Sequence, residues 1–367
     1  MSIKVYSDRI EFGNYTLSLT PDGININGAL SSESLARFGL PGEVASYVSG
    51  GVDAPPFNTG TNTIQRYSFA ADINTVSVGT LSATKLTAAG SSSPSHGFDY
   101  GGNSGGTTTP TMTMVNAIDR FSFASFAPAV NLGSLTPTTV ERSAGGHSSR
   151  EHGYVSGGLI TPFSTSDASR DLIRYPFASA ADEVATSNSL TSAGGGHAAQ
   201  SSNTHGYVSG GYGGSTAAPV GYTRIDKFAF QASSICTNIG NLTQLRSNHL
   251  ISEPSAYSSI AGISSAIAGY SAGGQSTPPA PSNTYFNTVD KFPFATDTNA
   301  SDVGDLSGNR GAAIGTSSTT TGYVNGGYGA PANSLNTIDS FPFANDSSIA
   351  YISSLAAARA GVSSQQI

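Results

Sequence analysis

The chain has no tryptophan and a single cysteine, Cys236. One cysteine closes no intramolecular disulfide and builds no thiolate zinc cluster, so the fold stands without either staple. Charge is also scarce: Asp, Glu, Lys and Arg make up 11% of the 367 residues, against roughly 25% in an average protein. The small excess is acidic, a net charge of −7, and phosphate recognition needs clustered Lys and Arg, so no nucleic-acid partner is expected. No apolar run approaches the length of a membrane helix, so no membrane insertion is expected. The opening Met1-Ser-Ile-Lys-Val-Tyr-Ser-Asp lacks the apolar stretch of a secretory signal. Apolar residues at helical spacing are absent throughout.

Glycine and ring-bearing residues are abundant instead. Forty-four Gly, 17 Phe and 16 Tyr within a 37% hydrophobic composition rule out simple disorder, which is aromatic-poor. Self-similarity then decides the architecture. A segment ending in Gly-Gly occurs six times: SYVSGG from Ser46, GFDYGG from Gly97, GYVSGG from Gly153 and Gly206, GYSAGG from Gly269 and GYVNGG from Gly322. Each is followed by an aromatic element: IQRYSFA from Ile64, IDRFSFA from Ile118, LIRYPFA from Leu172, IDKFAFQ from Ile225, VDKFPFA from Val289 and IDSFPFA from Ile338. A third element follows in turn: VGTL from Val78, LGSL from Leu132, SNSL from Ser187, IGNL from Ile239, VGDL from Val303 and ISSL from Ile352.

Each element reads as a short strand. Aromatics at i and i+2, as in Phe121/Phe123 and Phe292/Phe294, put both rings on one face of a pleated strand. A fourth strand is expected before each Gly-Gly segment, in stretches such as Arg142-Ser-Ala-Gly-Gly-His-Ser-Ser. Four strands per repeat of this length is one blade of an all-β propeller. The repeat resembles that of kelch-type propellers, in which an Arg precedes the first strand; Arg142, Arg246, Arg310 and Arg359 supply it here. The chain departs from that pattern in lacking tryptophan. The array begins at Ser46 on a Gly-Gly strand and ends with Ala358-Arg-Ala-Gly-Val-Ser-Ser-Gln, which reads as the missing first strand. The expectation is a six-bladed kelch-like β-propeller over 46–367, its ring closed by the C-terminal strand, so that no free edge is left to template aggregation.

The loops after each Gly-Gly vary in length, and in a four-stranded meander they share one face with the links between blades. Loops on a rigid scaffold carry function, so Phe57, Phe163, Tyr212, Tyr222, Tyr285 and Tyr328 are the candidate binding residues. The alternative is that these loops are merely unconstrained. Between Leu242 and Gly269 lies an insertion containing Ile260, Ile263 and Ile267, which either packs over one end of the disc or meets a neighbouring subunit. Catalytic signatures are missing, so no enzyme and no cofactor are expected. Copper oxidases of the galactose oxidase type share the propeller form and use a Cys–Tyr crosslink, but Cys236 reads as an inert buried thiol. His96, His152 and His205 are copies of one structural position. His147 and His197 have no third ligand indicated, so no metal site is expected. Asp119, Asp226, Asp290 and Asp339 recur at one repeat position, where Gln65 and Ile173 replace them, and recurrence favours a structural hydrogen bond or a solvated strand face over an active site.

Residues 1–45 stand outside the repeat. Ile3 to Phe12, then Gly13-Asn14, then Tyr15 to Leu19 reads as a β-hairpin, and Pro21-Asp-Gly marks a second turn before Ile24-Asn-Ile-Asn. Two or three such strands are too small for their own core and need something to pack against. Ile3, Val5, Tyr6, Ile10, Phe12, Tyr15 and Leu17 are the candidate anchoring residues. The whole chain also resembles repeat proteins of tailed phages, notably those of marine cyanobacteria, in which HGYVSGG-, IDRFPFA- and VGDL-type repeats follow a segment like MSIKVYSDRIEFG. That resemblance implies a virion structural protein: a tail fibre, baseplate appendage or capsid-surface decoration. It would be held to other virion proteins through residues 1–30 and would expose the disc to a host surface glycan, a receptor or a partner protein. Homo-oligomers are compatible with this reading. A polysaccharide-acting enzyme of the particle and an architectural spacer without ligand are the two rival readings.

Overall fold

The computed structural model describes the backbone of 3–5, 9–12, 15–20 and 23–27. It also describes 44–367 apart from 53–59, 70–74, 105–112, 136–142, 161–167, 180–183, 216–217, 231–235, 247–259, 277–283, 330–332 and 347–348. The chain forms two compact units, Met1–Phe38 and Gly39–Ile367. Every described regular element is a strand.

The larger unit is a propeller of six antiparallel sheets, each with an inner, a second, a third and an outer strand. The inner strands are Ala89–Ser92, Gly145–Ser148, Ala198–Ser201, Ala261–Ser264, Ile314–Ser317 and Ser363–Gln366. They lie side by side in a closed ring. The last belongs to blade 1: Ser363–Gln366 pairs antiparallel with Ala45–Ser49, Ser363 opposite Ser49 and Gln366 opposite Ser46. Ring closure by the end of the chain is therefore observed, and the sequence-derived fold holds.

The rings sit where the period-2 pattern puts them. In all six seams the aromatic of a second strand packs on the second aromatic of the next blade's third strand, stacked in five and tilted in one. The pairs are Tyr47–Phe123, Phe98–Phe177, Tyr154–Phe230, Tyr207–Phe294, Tyr270–Phe343 and Phe69–Tyr323, with centroids 4.6 to 5.3 Å apart. Burying these faces drives the blades together, at roughly 25 cal/mol per Å² of apolar surface. In blades 2, 4, 5 and 6 the first aromatic lies across the glycine of its own blade's second strand, while Gly153 of blade 3 faces the Tyr100 hydroxyl. A Cβ on Gly206 would stand 2.1 Å from the Phe228 ring, and one on Gly153 2.4 Å from the Tyr100 hydroxyl, which explains why Gly precedes the aromatic in five of the six copies.

The third element of each repeat is an edge strand with a built-in irregularity. The register between third and outer strands shifts at Ile64/Gln65, Ile118/Asp119, Ile225/Asp226, Val289/Asp290 and Ile338/Asp339. In VGTL this leaves Val78 unpaired between Ser77 and Gly79 and turned into the core, 8% exposed. A bulge twists an edge away from further pairing, so the motif protects the rim and in blade 1 also fills the core.

The smaller unit is a four-stranded meander, Ile3–Val5, Arg9–Phe12, Tyr15–Thr20 and Gly23–Asn27. The expected hairpin and the strand expected at Ile24 are both present, and the stretch read as one strand from Ile3 to Phe12 is two paired strands, Ile3–Val5 and Arg9–Phe12. Register sets Ile3 opposite Phe12 and Phe12 opposite Tyr15, and it aligns Val5, Ile10, Leu17 and Ile26. These positions therefore fall on one face of the sheet. Tyr6 lies outside the described residues.

Candidate functional site

Three places could hold a function in a disc of this kind: the axis, the seams between blades, and the loop face. The axis is closed by small residues. The second position of each inner strand is Gly90, Gly146, Ala199, Gly262, Gly315 or Ser364, and these line an axial cavity of about 100 Å³. That is room for a few waters, well short of the roughly 300 Å³ or more of a ligand pocket. A hydrogen-bonded belt runs round the same axis. The backbone N–H of Ser92 donates to Ser148 Oγ (2.9 Å), Ser148 to Ser201 (3.3 Å), Ser201 to Ser264 (3.0 Å) and Ser264 to Ser317 (3.0 Å). Ser317 N–H donates to Gln366 Oε1 (2.6 Å), and Gln366 N–H returns to Ser92 Oγ (2.9 Å). One bond per seam closes the circle, and the axis is a structural hub.

The seams contain the recurrent acids. Asp119, Asp226, Asp290 and Asp339 are fully buried. Each accepts from the linker that leads into its own blade: from the backbone N–H of Ser82, Thr191, Thr243 and Ser307 at 2.8 to 3.1 Å. The same linkers supply the counter-charge, Lys85 to Asp119 at 3.3 Å, Arg246 to Asp290 at 2.9 Å and Arg310 to Asp339 at 2.5 Å. Where the linker has Gly194 instead, Arg224 comes from the third strand to Asp226, 3.2 Å away. Gln65 does the neutral equivalent, accepting from Ala356 N–H. The recurrent acids are thus clamps holding each linker on its blade. Arg359 donates to the carbonyls of Gly50 and Thr63 (both 3.2 Å) in the same position of the closing seam. Arg142 lies outside the described residues.

One seam departs from the sixfold pattern. GFDYGG places Asp99 where other copies have Val or Ser, fully buried and 3.1 Å from Lys85 Nζ. Ser49 and Ser363 both donate to its carboxylate. Burial pushes the Asp99 carboxyl up from its ordinary range, with Lys85 and Ser363 opposing. The group is enclosed by blades 1 and 2 and has no access to substrate, so its asymmetry is structural.

The two offset histidines do meet. His147 Nε2 lies 2.8 Å from Ser156 Oγ, with Nδ1 3.0 Å from the Gln200 carbonyl. His197 Nε2 is 3.3 Å from the same hydroxyl and 3.0 Å from the Ser156 carbonyl. Burial holds both imidazoles down, His147 to about 4 and His197 to about 3. Among the described residues no group of three His, Cys, Asp or Glu side chains could share a metal ion. Cys236 is buried, and burial foremost pushes its thiol up to about 12, which leaves it unreactive at neutral pH.

The loop face, built from the links between second and third strands, holds the sequence-derived candidates. Tyr285 and Tyr328 come together across blades 5 and 6, ring centroids 5.7 Å apart; Tyr328 is half-buried, whereas Tyr285 is buried and so packs the loop instead of offering a contact surface. Tyr222 is half-buried beneath the Arg224 guanidinium, 3.8 Å above its ring, and its hydroxyl donates to the Ala193 carbonyl. Tyr212 corrects the expectation: it is fully buried, its backbone paired both ways with Gly195, so it braces the loop and offers no contact surface. Phe57 and Phe163 lie outside the described residues. So does most of the insertion, at 247–259. Ile260 and Ile263 are buried parts of blade 5, while Ile267 is exposed at its turn.

The solved structure of YjhT is similar to this chain, with a TM-score of 0.61 and 10% identity, covering 85% of this chain and 97% of that one. In all, 208 solved chains match, and at such low identity the likeness speaks for the fold alone. No family model and no curated protein matches the sequence.

Proposed function

We propose that the protein is a structural component of a tailed-phage particle, held by its N-terminal sheet and presenting the propeller outward as a contact surface. The kelch-like order of the repeats and the likeness to phage repeat proteins suggest this reading. The N-terminal unit carries it: a four-stranded sheet with its apolar positions on one face needs a covering surface, and a neighbouring particle protein is the surface proposed. The clamped, belted propeller suits a rigid head that works outside a cell without disulfides. Its loop face, with the half-buried Tyr328 and Tyr222, is the contact surface proposed for a host glycan, receptor or partner protein. Deleting residues 1–30 is expected to leave a folded propeller that no longer enters particles. Incorporation of the truncated protein at the normal level would refute the anchor. Binding of the isolated 46–367 fragment to host cells separates a receptor-binding head from a spacer, and sugars released from host envelope glycans would move the reading to an enzyme.

A further inference from the structure

The face opposite the variable loops is made by the turns between inner and second strands and between third and outer strands. Each third strand contributes one residue to it, immediately before its first aromatic: Arg66, Arg120, Arg174, Lys227, Lys291 and Ser340. On blades 4 and 5 this cation is neutralised by the next blade. Lys227 meets Asp297 at 2.9 Å, and Lys291 meets Asp346 at 2.5 Å. Both acids stand three positions after the second aromatic of their repeat. In the blades that follow the three arginines, that position holds Phe126, Ala180 and Ser233. Among the described residues none of Arg66, Arg120 and Arg174 forms an ion pair. Half of this face therefore keeps its guanidinium charge in a protein of net charge −7.

Beside the third of these arginines the face opens into a groove of about 620 Å³, the size of small-ligand sites. The Ser149–His152 turn of blade 3 and Asn203–His205 of blade 4 wall it, and Tyr154, Arg174 and Phe230 lie within it. Arg174 Nε is buried and has no hydrogen-bond acceptor among the described residues, a donor left without a partner. Arg150 adds a second guanidinium and Glu151 the one carboxylate. Burial foremost, then Arg174 for His152 and Lys227 for His205, holds the two imidazoles below their ordinary value. They are neutral at pH 7 and able to exchange hydrogen bonds with hydroxyls. A guanidinium fork for an anion, neutral polar groups for hydroxyls and an aromatic wall together match one ligand chemistry.

We propose that this groove between blades 3 and 4 binds an acidic saccharide, with its carboxylate or sulfate on Arg174 and its hydroxyls on His152, His205 and Asn203. The site lies on the face away from the variable loops and does not depend on the particle assignment. The test is calorimetric titration of the full chain with a glucuronate-containing disaccharide, a sulfated disaccharide and a neutral disaccharide. Expected is binding of one or both acidic sugars at least about tenfold tighter than the neutral one, weakening with salt. Which acidic sugar binds separates carboxylate from sulfate recognition. Arg174→Gln is expected to lower that affinity by about tenfold or more, while Lys291→Gln, at the neutralised position, leaves it unchanged. If Arg174→Gln does not fold, His205→Ala at the rim is expected to weaken binding severalfold instead. Equal affinity for acidic and neutral sugars, no binding of any, or full affinity in the folded Arg174 variant would overturn the proposal.

Discussion

At the residue scale, the buried polar groups divide into those that repeat and those that do not. The acids Asp119, Asp226, Asp290 and Asp339 repeat, and their recurrence already marked them as structural. His147 and His197 do not repeat at a shared offset, and only folding reveals that both reach Ser156. Their burial has a consequence for pH. An unfolded imidazole takes a proton near pH 6.5, whereas the folded ones resist until about 4 and 3. The unfolded chain therefore binds more protons in between. The stability held in this pair is complete above pH 6.5 and is lost as pH falls toward 4, by roughly 1.4 kcal/mol per unit for each imidazole that stays neutral. Asp99 acts in the opposite sense, since its raised carboxyl favours the folded state at low pH. The urea midpoint is expected to rise between pH 4.5 and 6.5, and replacing both histidines with Gln to flatten that rise. A level wild-type profile would refute the assignment.

At the scale of single elements, the inner strand is the part least legible in the sequence. The aromatic and Gly-Gly strands stand out because each carries residue types that are rare elsewhere and recur in phase. The inner strand is Gly, Ala and Ser in a chain full of them. Its signal was present nonetheless: Ser92, Ser148, Ser201, Ser264 and Ser317 each stand four residues before the position of His96, His152, His205, Ala268 and Thr321. Likewise the cation before the first aromatic was visible in five of the six quoted repeats, but its meaning rests on the acid of the next blade, which only the ring brings near. Close packing at the hub makes the inner strand intolerant of growth. A Cβ on Gly146 would lie 2.0 Å from the Gly90 carbonyl oxygen, whereas Gly308 has nothing within 4 Å. Gly146→Ala is expected to cost about 3 kcal/mol or more, since backbone on both sides must shift. Gly308→Ala is expected to change thermal stability little. Equal melting temperatures would show that the hub is looser than described.

At the scale of the molecule, sixfold recurrence made the propeller and its closing strand readable before any coordinate. What recurrence could not supply was the function of the loop face, because the loops are where the copies differ and carry no shared pattern. Burial of Tyr212 shows the limit: loop position alone did not tell a brace from a contact. Closure makes a sharp prediction. Removing residues 360–367 strips blade 1 of its inner strand, and with it the Gln366 links to Ser92 and Ser317. It leaves the Ala45–Ser49 edge open, and an open strand edge recruits other chains. The truncated protein is expected to elute as soluble aggregate or to fail to accumulate. A stable monomer with the full-length melting temperature would refute closure as a requirement.

The order of synthesis gives the same seam a temporal role. Ala45–Ser49 emerges before the other strands of the propeller and its partner Ser363–Gln366 after all of them, so the ring can lock only once every other propeller strand has been made. Interrupted translation would yield an unsealed chain that proteases and chaperones can recognise. Pairing of the closing strand thereby acts as a proofreading step for the entire disc.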